Sequence, residues 1–496
     1  MSLVVKENKK WWVTFAMSAC LALVYLDQTG VALTLEDIQR SLGLSTLAVQ
    51  WVINAYLLTL AVFMLFGGRL ADMVGHRKIF LIGMSIFLIS SVFCAIAEMA
   101  WELIISRALQ GLGGAMIIPT SIVLIANSTT VNERGKMIGI SISLGSIFLA
   151  FGPIIGGLLT QFWSWRLIFW INVPIGLMSI LLTLLSVPKL SKKITFSSTI
   201  DWVGFSAFAI SITSLVVAFM QANDWGWSSP VIISLFSIFL IFFILFIRVN
   251  TRVRMPFVNL KLFCNKTFLG GNAILFLLQS CHVSSAVFWV LYLQNVLGYS
   301  AGKAGFFILP VTLPVIFCAQ ISGRLTDRYG SHLPIMLGML MAVIGVLWVA
   351  FFARYYNYPL LFTGFLLYGL GAPLVIPAAM TSVLSSISQK EHGIALGIAN
   401  SMRQIGGALG LSIIGAVITN VTKARLDQLG ASINEAYIIR HLFTKAYAEA
   451  FSVGMSIAAF FALIAFSIAV VMFRKTPIYA LPTNPDNKLA AEKEIP

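Results

Sequence analysis

The chain has 496 residues, is 59% hydrophobic and 10% charged, and has a mean hydropathy of +0.92. A water-soluble fold of this composition would expose large apolar patches, which excludes a soluble enzyme or a nucleic-acid binder. The net charge of +15 is a topology signal instead: Lys and Arg fall mainly in alternate loops between apolar runs of about twenty residues, the length that crosses a bilayer.

The first apolar run starts at Trp11, has no small-residue cleavage site, and is expected to be a retained span. Fourteen spans follow from the apolar runs: 12–33, 48–67, 78–97, 102–125, 136–160, 165–187, 201–221, 230–248, 267–292, 304–322, 332–352, 359–382, 393–418 and 449–473. Loops on one side carry Arg69, Arg77, Lys78, Arg134, Lys136, Lys189, Arg252, Arg324 and Arg328, which places both termini in the cytoplasm. Trp163, Trp165, Trp225, Trp227, Tyr355 and Tyr356 mark the opposite interface. The cysteines (Cys20, Cys94, Cys264, Cys281, Cys318) lie in or beside spans with no metal or disulfide spacing.

The chain is internally duplicated. Gly68-Arg-Leu-Ala-Asp-Met-Val-Gly-His-Arg-Lys78, after the second span, returns as Gly323-Arg-Leu-Thr-Asp-Arg-Tyr-Gly330, an offset of 255. Gln110-Gly-Leu-Gly-Gly-Ala-Met-Ile-Ile-Pro119 returns as Tyr368-Gly-Leu-Gly-Ala-Pro-Leu-Val-Ile-Pro377, and Glu133-Arg-Gly as Glu391-His-Gly, both at 258. Six spans with their loops account for roughly 190 residues, so the excess is a two-span insert. The expected plan is an all-α membrane protein with a six-helix bundle at 1–190, a two-helix insert at 191–263, a second six-helix bundle at 264–480, and a tail at 481–496 without a fixed fold.

Four features carry chemistry. The charged loop, with Gly68, Asp72 and Arg77 in one copy and Gly323, Asp327 and Arg328 in the other, is expected to latch one conformation. In it, Gly67 and Gly68 allow close helix approach and Asp72 pairs with Arg77. On span five, Gly145, Gly152 and Gly156 make a smooth face beside the bend at Pro153, suited to sliding; 258 residues on, Gly410 keeps the glycine but Leu411 replaces the proline. Asp27 is the one carboxylate clearly at mid-membrane depth; such a group faces a cavity and titrates with its surroundings. Arg107 on span four is the complementary charge that would tune it. The offset of 255 sends Asp27 to His282, a candidate partner across the pseudo-symmetry. Asn54, Tyr56, Gln110, Gln279, Trp289, Asn400, Arg403 and Gln404 are further candidates for a substrate cavity.

These segments resemble the major facilitator superfamily. The charged loop is similar to its loop signature, Arg107-Ala-Leu-Gln110-Gly111 to its Arg-x-x-Gln-Gly motif, and Gly145 through Gly157 to its antiporter motif. Trp165 through Gly176, Asp201-Trp-Val-Gly204, Trp225-Gly-Trp227 and Arg403 through Gly410 resemble the fourteen-span drug:proton antiporter branch. The resemblance implies efflux driven by the proton gradient, with Asp27 as proton carrier and Arg107 influencing proton release. Where the family continues with an Asn and then Ala-Leu-Pro, this chain has Ala32 and Thr34-Leu35-Glu36.

The expected function is proton-coupled export of small amphipathic compounds or drugs across the cytoplasmic membrane, without a cofactor or metal. The alternative in the same architecture is export of an endogenous metabolite, siderophore or lipid. A lone mid-membrane carboxylate favours monocationic, neutral or zwitterionic cargo over dications. No Gly-Lys-Ser/Thr loop points to ATP drive, and the five His residues are isolated, unlike an enzyme's constellation. The expected partners are a small-molecule substrate, protons and the lipid bilayer, with a periplasmic adaptor in a two-membrane bacterium and no nucleic acid.

Overall fold

The computed structural model describes residues 9–130, 133–188, 201–253, 256, 258–387, 392–428 and 436–473. The expected tail at 481–496 lies outside these residues. All described regular elements are helical, seventeen α-helices and two short 3-10 turns. In chain order they are α1 (Lys9–Leu42), α2 (Thr46–Val74), α3 (His76–Ile96), α4 (Ala100–Ser128), α5 (Arg134–Phe162), α6 (Leu167–Trp170), α7 (Asn172–Ser186), α8 (Trp202–Trp225), α9 (Pro230–Arg252), α10 (Lys266–Asn295), α11 (Ala301–Phe307), α12 (Leu309–Thr312), α13 (Val315–Tyr329), α14 (His332–Phe352), α15 (Tyr358–Ser385), α16 (His392–Gln428) and α17 (Ala436–Phe473).

Thirteen stretches among the described residues are long and apolar enough to cross a membrane, and α5, with its apolar stretch Ile147–Phe162, supplies the fourteenth. Two spans are broken. Span six divides into α6 and α7, and span ten divides at Pro310 and Pro314 into α11, α12 and α13. Proline lacks the N–H that continues the helical ladder, which accounts for the second break. Because the number of spans is even, Lys9 and Phe473 lie at one end of the molecule. That end is called the terminal end below, and the opposite one the far end.

Local sequence sets the helix starts. Ser45, Asp201, Ser229, Asn265 and Ser300 each accept a backbone N–H of the first turn, the usual way to satisfy donors that have no helical partner. The repeated loop shows what its glycines are for. Gly75 (φ 109) and Gly330 (φ 79) end α2 and α13 with a backbone that side-chain-bearing residues rarely adopt. The duplicated motif is therefore first a helix stop.

Helices α1–α7 pack among themselves, and so do α10–α17. In each bundle the fifth span lies on the first: α5 on α1, and α16 on α10. The bundles meet at two seams that the duplication relates to each other, α5 against α11–α13 and α2 against α16. The insert breaks this symmetry. Its α8 packs on α2 and α16 and so backs one seam only. Its α9 touches mainly α8 and is otherwise largely exposed, as expected of a lipid-facing helix.

Candidate functional site

The centre of the first bundle holds a closed charge network. Asp27 is mid-helix in α1 and 0% exposed; Arg107 in α4 is 1% exposed. Arg107 Nη1 donates to Asp27 Oδ2 at 2.5 Å and to Gln110 Oε1 at 2.6 Å, while its Nε donates to the Val52 carbonyl of α2 at 3.0 Å. Gln110 Nε2 donates to Asp27 Oδ1 at 3.1 Å. The guanidinium also lies 4.4 Å from the centre of the Tyr56 ring, a cation–π contact. Each carboxylate oxygen thus has a donor, and the cation is shared between an anion, two carbonyl oxygens and a ring. A buried ion pair costs desolvation, which only such full satisfaction offsets. The network ties α1, α2 and α4 together.

Next to this network α1 meets α5. A Cβ placed on Gly152 would collide with Thr29, two residues beyond Asp27, and one on Gly156 would lie 2.8 Å from the Gly30 Cα. One on Gly145 would lie 2.9 Å from the Tyr25 ring. The other side of α5 carries the seam. Gly157 lies against Ala301 and Gly302, and Gly305 approaches the Pro153 carbonyl so closely that a Cβ there would be 2.6 Å from it. Thr312 Oγ1 donates to the Ala150 carbonyl at 2.8 Å, and Gln161 Oε1 accepts from Ser300 and from the Gly302 N–H. α5 is a smooth wedge between α1 and the second bundle.

The second bundle repeats the geometry without the charge. With the offsets of 255 and 258, Asp27 corresponds to His282 and Gln110 to Tyr368. His282 Nδ1 and the Tyr368 hydroxyl are hydrogen-bonded at 3.1 Å, and their rings stack. The α1–α4 hydrogen bond thus has an α10–α15 counterpart. Arg107 corresponds to Phe365, which packs on Trp289.

The other candidate residues divide into two groups. Asn54 and Trp289 are fully buried and committed to neighbours. Asn54 Nδ2 donates to Ser412 Oγ of α16 at 2.7 Å and contacts Met220 Sδ of α8, and Trp289 sits between Phe365 and Tyr368. His282, Asn400 and Arg403 stay partly accessible at mid-span, with the more buried Gln279 and Gln404 on the same two helices. Tyr56 and Gln110, expected in the cavity, belong to the charge network. The signal for Gln110 was its i, i+3 spacing from Arg107, which puts both on one helix face. The Val52 carbonyl carries no such signal, because a backbone acceptor is the same for every residue type.

The charged loop differs in detail from its expected form. Asp72 pairs with His76 Nε2 at 3.2 Å and not with Arg77: the break at Gly75 between α2 and α3 brings the first residue of α3 back beside the last turn of α2. Arg77 donates to the Leu184 carbonyl of α7 at 3.2 Å. Gly67 gives the close approach, where a Cβ would lie 2.7 Å from the Ala115 carbonyl; Gly68 and Gly323 have room for a side chain. Arg328 lies beside the Tyr329 ring. The side chain of Asp327 lies outside the described residues. Arg69, not among the expected residues, donates to the Pro256 carbonyl at 2.5 Å, linking the loop to the segment that leads into the second bundle.

Comparison with known proteins gives the same architecture. The chain is 31% identical over 413 residues to the multidrug resistance protein Stp of Mycobacterium tuberculosis, covering 82% of this chain and 75% of that one. It is 30% identical over 436 residues to the puromycin resistance protein pur8 of Streptomyces alboniger, covering 86% and 85%. A crystal structure of a bacterial homologue of the human lysosomal transporter Spinster, inward-facing and occupied, superposes with a TM-score of 0.68 at 16% identity, over 95% of this chain and 98% of that one, which shows the shared fold. Residues 17–411 match the profile of the Major Facilitator Superfamily. The chain is a multi-pass membrane protein that belongs to the Major Facilitator Superfamily of transporters.

Proposed function

We propose that the protein is a proton-coupled drug exporter of the cytoplasmic membrane that works by alternating access, with the terminal end in the cytoplasm. The observation that carries this reading is the wholly buried Asp27–Arg107–Gln110 network beside the α1–α5 contact. In the ionised form Asp27 holds Arg107 and couples α1 to α4. A proton on either carboxylate oxygen makes the group neutral and removes the charge that holds the guanidinium. Arg107 keeps Val52, Gln110 and the Tyr56 ring as partners, so it stays with α2 and α4 while α1 is released. Thr29 and Gly30 then move with α1 against the smooth face of α5, and α5 carries the motion to α11 at the seam. Resistance relatives at about 30% identity support export of drug-like compounds.

The test uses proteoliposomes with an imposed pH gradient. Asp27→Asn mimics the protonated group, so the variant is expected to lose gradient-driven transport while keeping its fold and its substrate exchange at equal pH. Normal gradient-driven transport by the variant would refute the proposal.

A further inference from the structure

We infer that the α10/α16 side of the core binds an organic acid, with Arg403 as its counter-charge; this rests on the transporter reading and names the class of its cargo. Among the described residues, two arginines lie at mid-membrane depth in the central helices, and one of them is neutralised. Arg107 has Asp27. Arg403, in the N-terminal third of α16, reaches Gln279 Oε1 and Asn400 Oδ1 only at 3.5 Å, the outer limit of a hydrogen bond, and its buried Nε has no partner. Among the described residues no carboxylate lies within 4.0 Å of it, since the ion pairs formed there involve other cations. Its electrostatic neighbours are Tyr25 of α1 and His282 of α10, both side chains without a negative charge at neutral pH.

A cation at mid-membrane depth is costly when its partners are long and neutral. The same fold solves that problem completely 4.4 Å above Tyr56, with a carboxylate, so the incomplete solution at Arg403 is a place where the missing partner comes from outside. A planar guanidinium with an open edge takes a carboxylate, sulfonate or phosphate in a two-pronged contact. The walls set the rest of the ligand. The partly accessible Tyr25 and His282 rings supply aromatic faces, which suit an amphipathic or aromatic acid, and Tyr368 backs the His282 ring from the buried side. A cationic compound would meet an uncompensated like charge. The site also explains its own position: Arg403 on α16 and Tyr25 on α1 belong to different bundles, so an anion held between them is gripped only when the bundles are close.

Two xanthene dyes of similar shape and opposite charge test this, carboxyfluorescein and rhodamine 123. Their binding to the purified full-length protein in phosphatidylcholine nanodiscs is read by fluorescence anisotropy. Carboxyfluorescein is expected to bind at least about tenfold tighter than rhodamine 123, and Arg403→Gln to weaken it by about tenfold or more. Arg403→Lys keeps the charge without the fork and is expected to fall between. Equal affinity for the two dyes, or unchanged carboxyfluorescein binding by monodisperse Arg403→Gln, overturns the inference. If Arg403→Gln does not fold, the dye comparison and Arg403→Lys decide. Adding phosphatidylglycerol separates two sources of the acid: displacement of the dye identifies a lipid headgroup, and no displacement a soluble acid. The measurement is made without a gradient, so it can fail or succeed independently of proton coupling.

Discussion

Helices α1 and α4 of the first bundle and α10 and α15 of the second occupy equivalent places, yet they handle their shared hydrogen bond differently. In the first, Gln110 bonds a carboxylate that also binds Arg107. In the second, Tyr368 bonds the His282 ring, and Phe365 stands where Arg107 would be. Duplication kept the contact and changed the charge. The comparison teaches that a symmetric scaffold can confine a buried charge pair to one half. Among its described residues the other half keeps no such pair, and its Arg403 is left with neutral partners.

The sharpest way to break the comparison is to remove one charge from the first bundle. Arg107→Gln leaves Asp27 buried without its cation, which is expected to cost about 3–5 kcal/mol and lower the thermal unfolding midpoint in detergent. Adding Asp27→Asn should restore most of that loss, because the pair then goes together; no recovery would mean that the two residues are not energetically coupled. A smaller effect is expected at the helix contacts. Gly156→Ala and Gly410→Ala push a methyl against the Gly30 Cα and the Ser280 carbonyl carbon, at 2.8 and 2.6 Å, and should each cost about 1–3 kcal/mol. Gly323→Ala, with nothing within 4 Å of the added carbon, should be silent in the same melting assay.

The neutral counterpart should respond less. Tyr368→Phe removes the hydrogen bond to His282 without exposing a charge, and about 1 kcal/mol is expected, so a loss as large as that of Arg107→Gln would erase the proposed difference between the halves. The smallest effect is predicted at the loop. The Asp72 side chain is 74% exposed, and Asp72→Asn should change the unfolding midpoint by no more than about 0.5 kcal/mol equivalent; a larger shift would show that the His76 pair holds structure.

The membrane architecture was readable because the bilayer demands long apolar runs, and those are properties of sequence alone. Asp27 and Arg107 were readable for the complementary reason: a charge at mid-span is expensive, so it stands out. The partners within the site were less so. Asp72 lies nearly as close in sequence to Arg77 as to His76, and only the geometry of the turn at Gly75 chooses. Glycine identity pointed to close packing, but which glycine meets which backbone depends on helix rotation, so Gly67 and Gly156 matter where Gly68 and Gly323 do not. Where the insert packs was invisible as well. Nothing in α8 announces that Met220 will reach Asn54, or that Asn223 will donate to the Ala416 carbonyl.

That one-sided placement of α8 has a directional consequence. If the bundles rock as proposed, the α2–α16 seam opens against a helix, whereas no insert helix covers the α5–α13 seam, where Phe151, Leu313, Phe317 and Ile321 are exposed. A compound dissolved in the membrane would therefore approach the core from one flank only. The insert makes a radially symmetric machine into one with a front and a back. A crosslink between positions 154 and 305 should then hinder uptake of lipid-soluble cargo more than one between 54 and 220, and equal inhibition by both would show that neither flank is preferred.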